Sequence, residues 1–115
     1  MEGLEILAWE GEGYNRTVHF GEWRVALANF GAPFDRNRYT YLERHLETDE
    51  VFVLLSGTGT LAIGLERAET PLEAGKLYNV KRGTWHALLM SEDAKVLIVE
   101  NHNTSMENSE HFPIR

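Results

Sequence analysis

Residues 41–59 read YLERHLETDEVFVLLSGTG, a stretch that combines two strand-like patterns with a glycine-rich turn. Residues 38–46 fit a strand whose side chains alternate between two faces. Residues 51–55 form a continuous apolar run typical of a buried strand, and the turn-forming residues 56–59 end it. The stretch therefore predicts two β-strands, the first with Tyr39, Tyr41, Glu43 and His45 on one face.

The rest of the chain continues the β pattern. Further strand-like runs cover residues 23–30, 60–63, 77–80, 87–90 and 95–100. Glycine, proline and polar breaks recur roughly every eight to twelve residues, which is typical of a small all-β sandwich or barrel. We predict one domain over residues 1–115, with a polar tail at 101–115 that lies over the barrel surface or is partly disordered.

Composition excludes several classes of protein. The 115 residues are enough for one ordinary domain, and the formal net charge of -7 repels phosphate backbones, so we expect no nucleic-acid partner. No apolar run reaches the roughly 18 residues of a membrane span, and the first residues are acidic where a signal peptide is basic, so we expect a cytoplasmic protein without membrane contact. Because cysteine is absent, any metal must be held by His, Glu, Asp or water.

Three donors form a candidate metal site, namely His45, Glu50 and His86. A closed barrel brings inward-facing side chains from different strands into one cavity. Glu43 shares a face with His45, about 7 Å away along the strand. If the two strands of residues 41–59 pair as a hairpin, Glu50 returns toward that face. Three or four donors with water at open positions would make a catalytic rather than a structural site.

Each of these residues also has an ordinary interpretation. A single inward histidine is more often a hydrogen-bonded core or cleft residue than a metal ligand. Glu43 next to Arg44 would by default form a surface salt bridge, and Glu50 next to Asp49 could belong to a solvated turn. It is the joint spacing of the three donors that favours the metal site.

This spacing resembles the two motifs of the cupin superfamily. The first motif reads His-x-His, three or four residues, Glu, six residues, Gly. Here His45, Glu50 and Gly57 match it, and Glu43 takes the place of the first histidine.

The second cupin motif reads Gly, five residues, Pro-x-Gly, two residues, His, three residues, Asn. Here Gly75, Gly83 and His86 match it, whereas Lys81 replaces the proline and Met90 replaces the asparagine. The resemblance covers residues 38–100 and implies a conical β-barrel, also described as a double-stranded β-helix or jelly roll. It further implies a bound divalent metal ion (manganese, iron, nickel or zinc), which cupins commonly hold through three histidines and one glutamate.

The departure at Glu43 leaves three possibilities. Glu43 could be a fourth ligand, a general base beside a three-ligand metal, or a residue that only pairs with a neighbouring base. A narrower resemblance, to cupins of the ureidoglycolate lyase type, rests on residues 42–45, Phe52, Gly57, residues 85–86 and residues 99–101.

The resemblance implies a small metal-binding cupin that acts on a small polar organic acid or a sugar-like metabolite, with Glu43 and Tyr41 as catalytic or substrate-contacting residues. Lyase, isomerase and dioxygenase chemistry are all open. The alternatives are a non-catalytic metabolite- or sugar-binding cupin and a metal-free structural cupin.

Three further expectations concern residues outside the motifs. Trp85 should face away from His86 and pack in an outer layer or at a dimer contact. Glu100 and His102 lie at the end of the last predicted strand, where a solvated strand end is the commoner outcome. We expect a homodimer that buries apolar residues of the N-terminal third, namely Trp9, Phe20, Trp23, Phe30 and Phe34.

Overall fold

The computed structural model describes residues 2–115, and almost all of its regular structure is β-strand. Two short 3-10 helices, Ala32–Phe34 and Met106–Asn108, interrupt the strands. Within residues 2–115, no helix is long and apolar enough to cross a membrane. The strands of this part of the chain, numbered in order, are β1 (Tyr14–Phe20), β2 (Trp23–Asn29), β3 (Tyr41–His45), β4 (Glu50–Ser56), β5 (Gly59–Ile63), β6 (Ala68–Pro71), β7 (Tyr78–Val80), β8 (His86–Met90), β9 (Lys95–Asn101) and β10 (Ser109–Pro113).

The strands form two antiparallel sheets that face each other. One sheet has the order β1-β2-β9-β4-β7, and the other has the order β10-β3-β8-β5-β6. Alternate residues of both sheets fill the space between them, because side chains along a strand point to opposite faces in turn. This arrangement confirms the predicted all-β jelly-roll barrel. The main core contains Ala26, Ala28, Phe52, Leu54, Leu61, Leu88, Met90, Val96 and Ile98.

The two strands of residues 41–59 do not form a hairpin with each other. β3 pairs with β8 and β10, whereas β4 pairs with β7 and β9 in the opposite sheet. Residues 46–49 therefore cross between the sheets, and the turn after β4 crosses back, since β5 pairs with β6 and β8. The hairpin interpretation was wrong because the apolar run of β4 pairs along its length with the equally apolar β9. Glu50 nevertheless faces His45, since both sheets enclose the same interior.

The C-terminal segment is more regular than its polar composition indicated. Residues 109–113 form β10, which pairs with β3 in a register that runs from Ser109 opposite His45 to Pro113 opposite Tyr41. The tail thus lies over the barrel as an added edge strand. Its strand was missed because a five-residue polar sequence carries little β propensity, and its pairing partner lies more than sixty positions earlier in the chain.

The sheet that contains β3 is also covered on its outer face. Leu42 and Leu89 point away from the main core, yet both are almost completely buried in a second apolar cluster. Trp85 packs against this cluster, and its ring contacts Phe112 of β10 edge to face, with 5.7 Å between the centroids. The prediction that Trp85 packs in an outer layer, away from the His86 side, is confirmed.

The aromatic residues of the N-terminal third divide into two groups. Phe30 and Phe34 pack against the main core, and Trp9 is half-buried. Phe20 and Trp23 remain 73% and 46% exposed at the end of the β1–β2 hairpin. Only part of the apolar surface that was expected to form a dimer contact is therefore available for one.

Gly57, a residue of the first motif, ends β4 in a conformation that excludes other side chains. Its φ is +70°, and a Cβ atom there would lie 2.5 Å from the Ala94 Cα atom. Gly75 shares the left-handed backbone, with φ of +88°, but a Cβ atom there would meet nothing within 4 Å. The two glycines thus differ in steric surroundings and not in backbone strain.

We predict that Gly57→Ala destabilises the protein more than Gly75→Ala. In both variants the free energy of unfolding should fall by about 1–2 kcal/mol, the cost of an L-residue in the left-handed region. Gly57→Ala should lose about 1–3 kcal/mol more, because the crossing turn must move away from Ala94. Urea unfolding of the two variants and the wild type measures the difference, and equal losses would contradict the packing argument.

Candidate metal centre

Three buried side chains converge in the barrel interior. His45 ends β3, Glu50 begins β4 and His86 begins β8, and each is at most 6% exposed. Glu50 Oε1 is 2.9 Å from His86 Nε2 and 3.2 Å from His45 Nε2. One donor atom from each residue lies within 4.8 Å of the other two. The structure thus brings together the three donors that the motif spacing had singled out.

The His45 Nε2 atom is buried and has no hydrogen-bond partner. Carboxylate oxygens surround it without hydrogen-bond geometry, with Glu43 Oε1 at 3.1 Å, Glu50 Oε1 at 3.2 Å and Glu100 Oε2 at 3.8 Å. A buried polar atom left unpaired costs free energy, so such an atom calls for a partner. Two ligands at about 2.1 Å from one ion lie about 3.0 Å apart in octahedral geometry and about 3.4 Å apart in tetrahedral geometry. The contacts of His45 Nε2 with Glu43 and Glu50, at 3.1 Å and 3.2 Å, fall within this range.

Both imidazoles are fixed through their other ring nitrogen. His86 Nδ1 is 3.0 Å from the backbone oxygen of Thr84, which can only accept a hydrogen bond, and His45 Nδ1 is 2.8 Å from the hydroxyl of Ser109. A proton on His86 Nδ1 leaves Nε2 of the neutral ring with a lone pair. That lone pair then faces the Glu50 carboxylate, a repulsive arrangement unless a proton or a metal cation lies between the two atoms.

The cluster favours positive charge beside Glu50. Burial opposes the charged form of both imidazoles, but the Glu50 carboxylate outweighs it and raises the pKa of His45 and of His86. Burial also favours the neutral form of Glu50, yet the two imidazoles hold the pKa of this carboxyl well below its usual range. Protons and a metal ion would therefore compete for the same Nε2 atoms.

Glu43 links the cluster to a third histidine. One oxygen, Oε1, lies 3.1 Å from His45 Nε2, and the other, Oε2, lies 3.2 Å from His111 Nε2. The surface salt bridge considered from the sequence does not form, since Arg44 points to the outer face and pairs with Glu110. The side chain of Glu43 is 31% exposed, so it lies between the buried donors and the open cavity.

Glu100 is a second residue whose environment differs from expectation. It was expected at a solvated strand end, but it is 6% exposed and lies inside the barrel. Its Oε1 atom accepts hydrogen bonds from Arg24 at 2.7 Å and Tyr14 at 2.6 Å. Burial and the nearby Glu50 charge raise the pKa of Glu100. The alternation of β9 would have indicated an inward Glu100, because Val96 and Ile98 on the same face are core residues.

A cavity of about 610 Å³ opens above the donors. Its inner wall includes apolar side chains of the main core, and Tyr41 lines it at the rim with 37% exposure. The ring of Tyr41 stacks on His111, with 3.9 Å between the centroids and 12° between the planes. The prediction that Tyr39 shares the face of Glu43 and His45 was wrong, because Tyr39 lies before β3 begins; it borders the cavity but packs with the outer apolar cluster. The size is typical of a site for a small molecule.

The residues present fit a divalent metal ion. Manganese, iron, nickel and zinc all bind two neutral imidazoles and a carboxylate. A bound ion would also give the buried His45 Nε2 atom the partner that it lacks. Glu43 would supply a fourth, more exposed donor. The charge of Glu100 is offset by Arg24, so this carboxylate does not need the ion as a partner.

The fold is similar to that of several solved structures. Pac13 from Streptomyces, described as a nucleoside dehydratase and solved as a variant with uridine, is 13% identical with a TM-score of 0.66, over 91% of this chain and 82% of that one. A cupin-2 domain protein from Shewanella frigidimarina is 21% identical with a TM-score of 0.64, over 82% of this chain and 85% of that one. KdgF from Halomonas is 15% identical with a TM-score of 0.61, over 90% and 94%.

At these identities the structural neighbours establish the fold alone, and no curated protein matches the chain. The family described as "Cupin domain" matches residues 37–100, which include His45, Glu50 and His86. Because this match covers more than half of the 115 residues, the chain belongs to the cupin family.

Proposed function

We propose that the protein binds one divalent metal ion through His45, Glu50 and His86 and acts on a small polar metabolite in the adjoining cavity. The observation that carries this proposal is the buried, unpartnered His45 Nε2 atom, which faces carboxylate oxygens at the spacing of ligands around one ion. Manganese, iron, nickel and zinc all suit the donors. When bound, such an ion supplies a Lewis acid that polarises a substrate oxygen.

The side chains around the donors support an enzyme over a passive binder. Glu43 is a partly exposed carboxylate at the mouth of a buried polar cluster, the position from which a fourth ligand or a general base would act. Tyr41 presents a phenol at the same rim and is a candidate substrate contact. A small organic acid or sugar-like molecule fits the cavity volume of about 610 Å³. Lyase, isomerase and dioxygenase chemistry remain alternatives within this proposal.

Relatives in the same fold favour a small-molecule ligand. Pac13 is a nucleoside dehydratase and was solved with uridine. The low identity carries over neither that substrate nor that reaction, so it supports the size class of the ligand only. A non-catalytic metabolite-binding cupin is the second candidate, favoured if the pocket binds a ligand that the protein does not change.

The first prediction concerns the metal itself. Protein purified without chelator or affinity tag should contain about one divalent ion per chain, measured by elemental analysis. His86→Ala should lower the affinity more than about 100-fold, because it removes a ligand and not an outer-shell contact. His19→Asn, which alters an exposed histidine, is the control and should keep the metal. Equal metal content in the wild type and a His45/His86 double variant would refute the site.

The second prediction separates the roles of Glu43. Glu43→Gln keeps the shape and removes the charge. A ligand role predicts that metal affinity falls by about tenfold or more. A general-base role predicts normal metal content with turnover reduced about 10²–10⁴-fold, once a substrate has been found by screening with and without metal. Normal metal binding and normal turnover would leave Glu43 with neither role.

The third prediction concerns assembly, and the proposed occupant of the exposed N-terminal surface is a second copy of this chain. Ile6 is 88% exposed in the segment before β1, and Phe20 is 73% exposed. We expect sedimentation to give a dimer of the 13.1 kDa chain at micromolar concentration. Ile6→Glu and Phe20→Glu should each shift the protein toward monomer, whereas Leu77→Glu, at a site 74% exposed, should not. A monomeric wild type would refute the proposal.

A further inference from the structure

The last strand of the chain lies directly beside the candidate metal centre. β10 pairs along β3 with Ser109 opposite His45 and His111 opposite Glu43. Because side chains alternate along a strand, Ser109 and His111 both face the interior, and Glu110 and Phe112 face outward. These residues lie outside the family match at 37–100. Ser109 and His111 are thus the inward-facing cross-strand neighbours of His45 and Glu43.

Ser109 contacts the ring nitrogen of His45 that points away from Glu50. Its hydroxyl oxygen is 2.8 Å from His45 Nδ1. When the serine oxygen accepts a hydrogen bond from a protonated Nδ1, Nε2 of the neutral ring keeps its lone pair, and Nε2 is the atom that faces the carboxylates without a hydrogen bond. In that tautomer the contact fixes the ring orientation and leaves Nε2 available as a donor atom.

His111 contacts Glu43, the possible fourth donor. Its Nε2 atom is 3.2 Å from Glu43 Oε2, and its ring stacks on Tyr41. Because His111 contacts Oε2, the other carboxylate oxygen, Oε1, faces His45 Nε2 at 3.1 Å. A glutamate at the mouth of a cavity would otherwise have several free rotamers. The contact with His111 therefore reduces the side-chain entropy that would be lost if Oε1 bound the metal ion.

The outward residues of β10 fix the strand itself. Glu110 pairs with Arg44, Phe112 packs on Trp85, and the backbone of Ile114 donates a hydrogen bond to Thr40. β10 is the edge of its sheet and has β3 as its neighbour. β10 is therefore attached mainly to β3, the strand that carries Glu43 and His45, with a further contact at Trp85 just before β8.

We propose that β10 is a positioning element of the metal centre, in which Ser109 fixes the tautomer and orientation of His45, and His111 fixes the carboxylate of Glu43. This inference rests on the proposed metal site and extends it to a part of the chain that the family motifs do not reach. Neither residue is proposed as a ligand of the ion, and both would act through His45 and Glu43.

Cobalt(II) titration followed by visible absorption tests the Ser109 part. Ser109→Ala should weaken cobalt binding about 10–100-fold, and Ser109→Thr, which restores a hydroxyl, should recover most of the loss. Glu110→Gln is the matched control, because it loosens the same strand from its outer side and should leave cobalt affinity and spectrum unchanged. Thermal unfolding of the metal-free variants checks that each one folds.

A double-mutant cycle tests the His111 part. His111→Phe keeps a ring against Tyr41 and removes the contact with Glu43. It should weaken cobalt binding in the wild-type background and have no further effect when Glu43→Gln is already present, since coupled residues are not additive. If both single variants bind cobalt like the control, or if the His111 and Glu43 effects simply add, the inference fails while the metal site stands. A wild type that binds no cobalt overturns both.

Discussion

The buried contact of Glu50 with two imidazoles is the constraint on which the rest of the site depends. A carboxylate moved out of water into a protein interior loses several kcal/mol of hydration unless positive charge or hydrogen bonds replace it. Glu50 has His86 Nε2 at 2.9 Å and His45 Nε2 at 3.2 Å for this purpose. Either two protons or one metal ion can supply the charge. The geometry of the donors is thus set by electrostatics that exist in the metal-free fold as well.

The two-sheet arrangement explains how this contact is built. β3 and β8 deliver the histidines from one sheet, and β4 and β9 deliver Glu50 and Glu100 from the other. Each donor is at or next to a strand end, where the apolar core gives way to the cavity. The rungs of the sheets fix the positions of the side chains, since Glu43 pairs with His86 across β3 and β8. A site spread over both sheets needs the full barrel, so folding and donor placement are one event.

Local sequence signals predicted most of the strands and singled out three side chains that the fold brings together, and long-range pairing decided the rest. His45, Glu50 and His86 were identifiable because motif spacing records which residues start and end strands. The hairpin of β3 with β4 was wrong because strand alternation says which face a residue takes and not which strand lies beside it. Ser109 and His111 carried no signal at all, since their role arises from a pairing with β3 across more than sixty positions. Strand alternation indicated an inward Glu100, but the usual exposure of charged residues at strand ends outweighed that signal.

The exchange of the first motif histidine for Glu43 and the presence of His111 behind it belong together. A carboxylate at this position adds negative charge to a cluster that already holds Glu50, and a nearby anion raises the cost of leaving that cluster without a cation. His111 offers a hydrogen-bond partner for the outer oxygen, so the added carboxylate is held without Arg44, which the strand alternation directs outward. If Glu43 is a ligand, two histidines and two glutamates form a harder set than three histidines and one glutamate, and harder donors suit manganese and iron. This chain's departure from the first motif therefore lies between the buried donors and the open cavity.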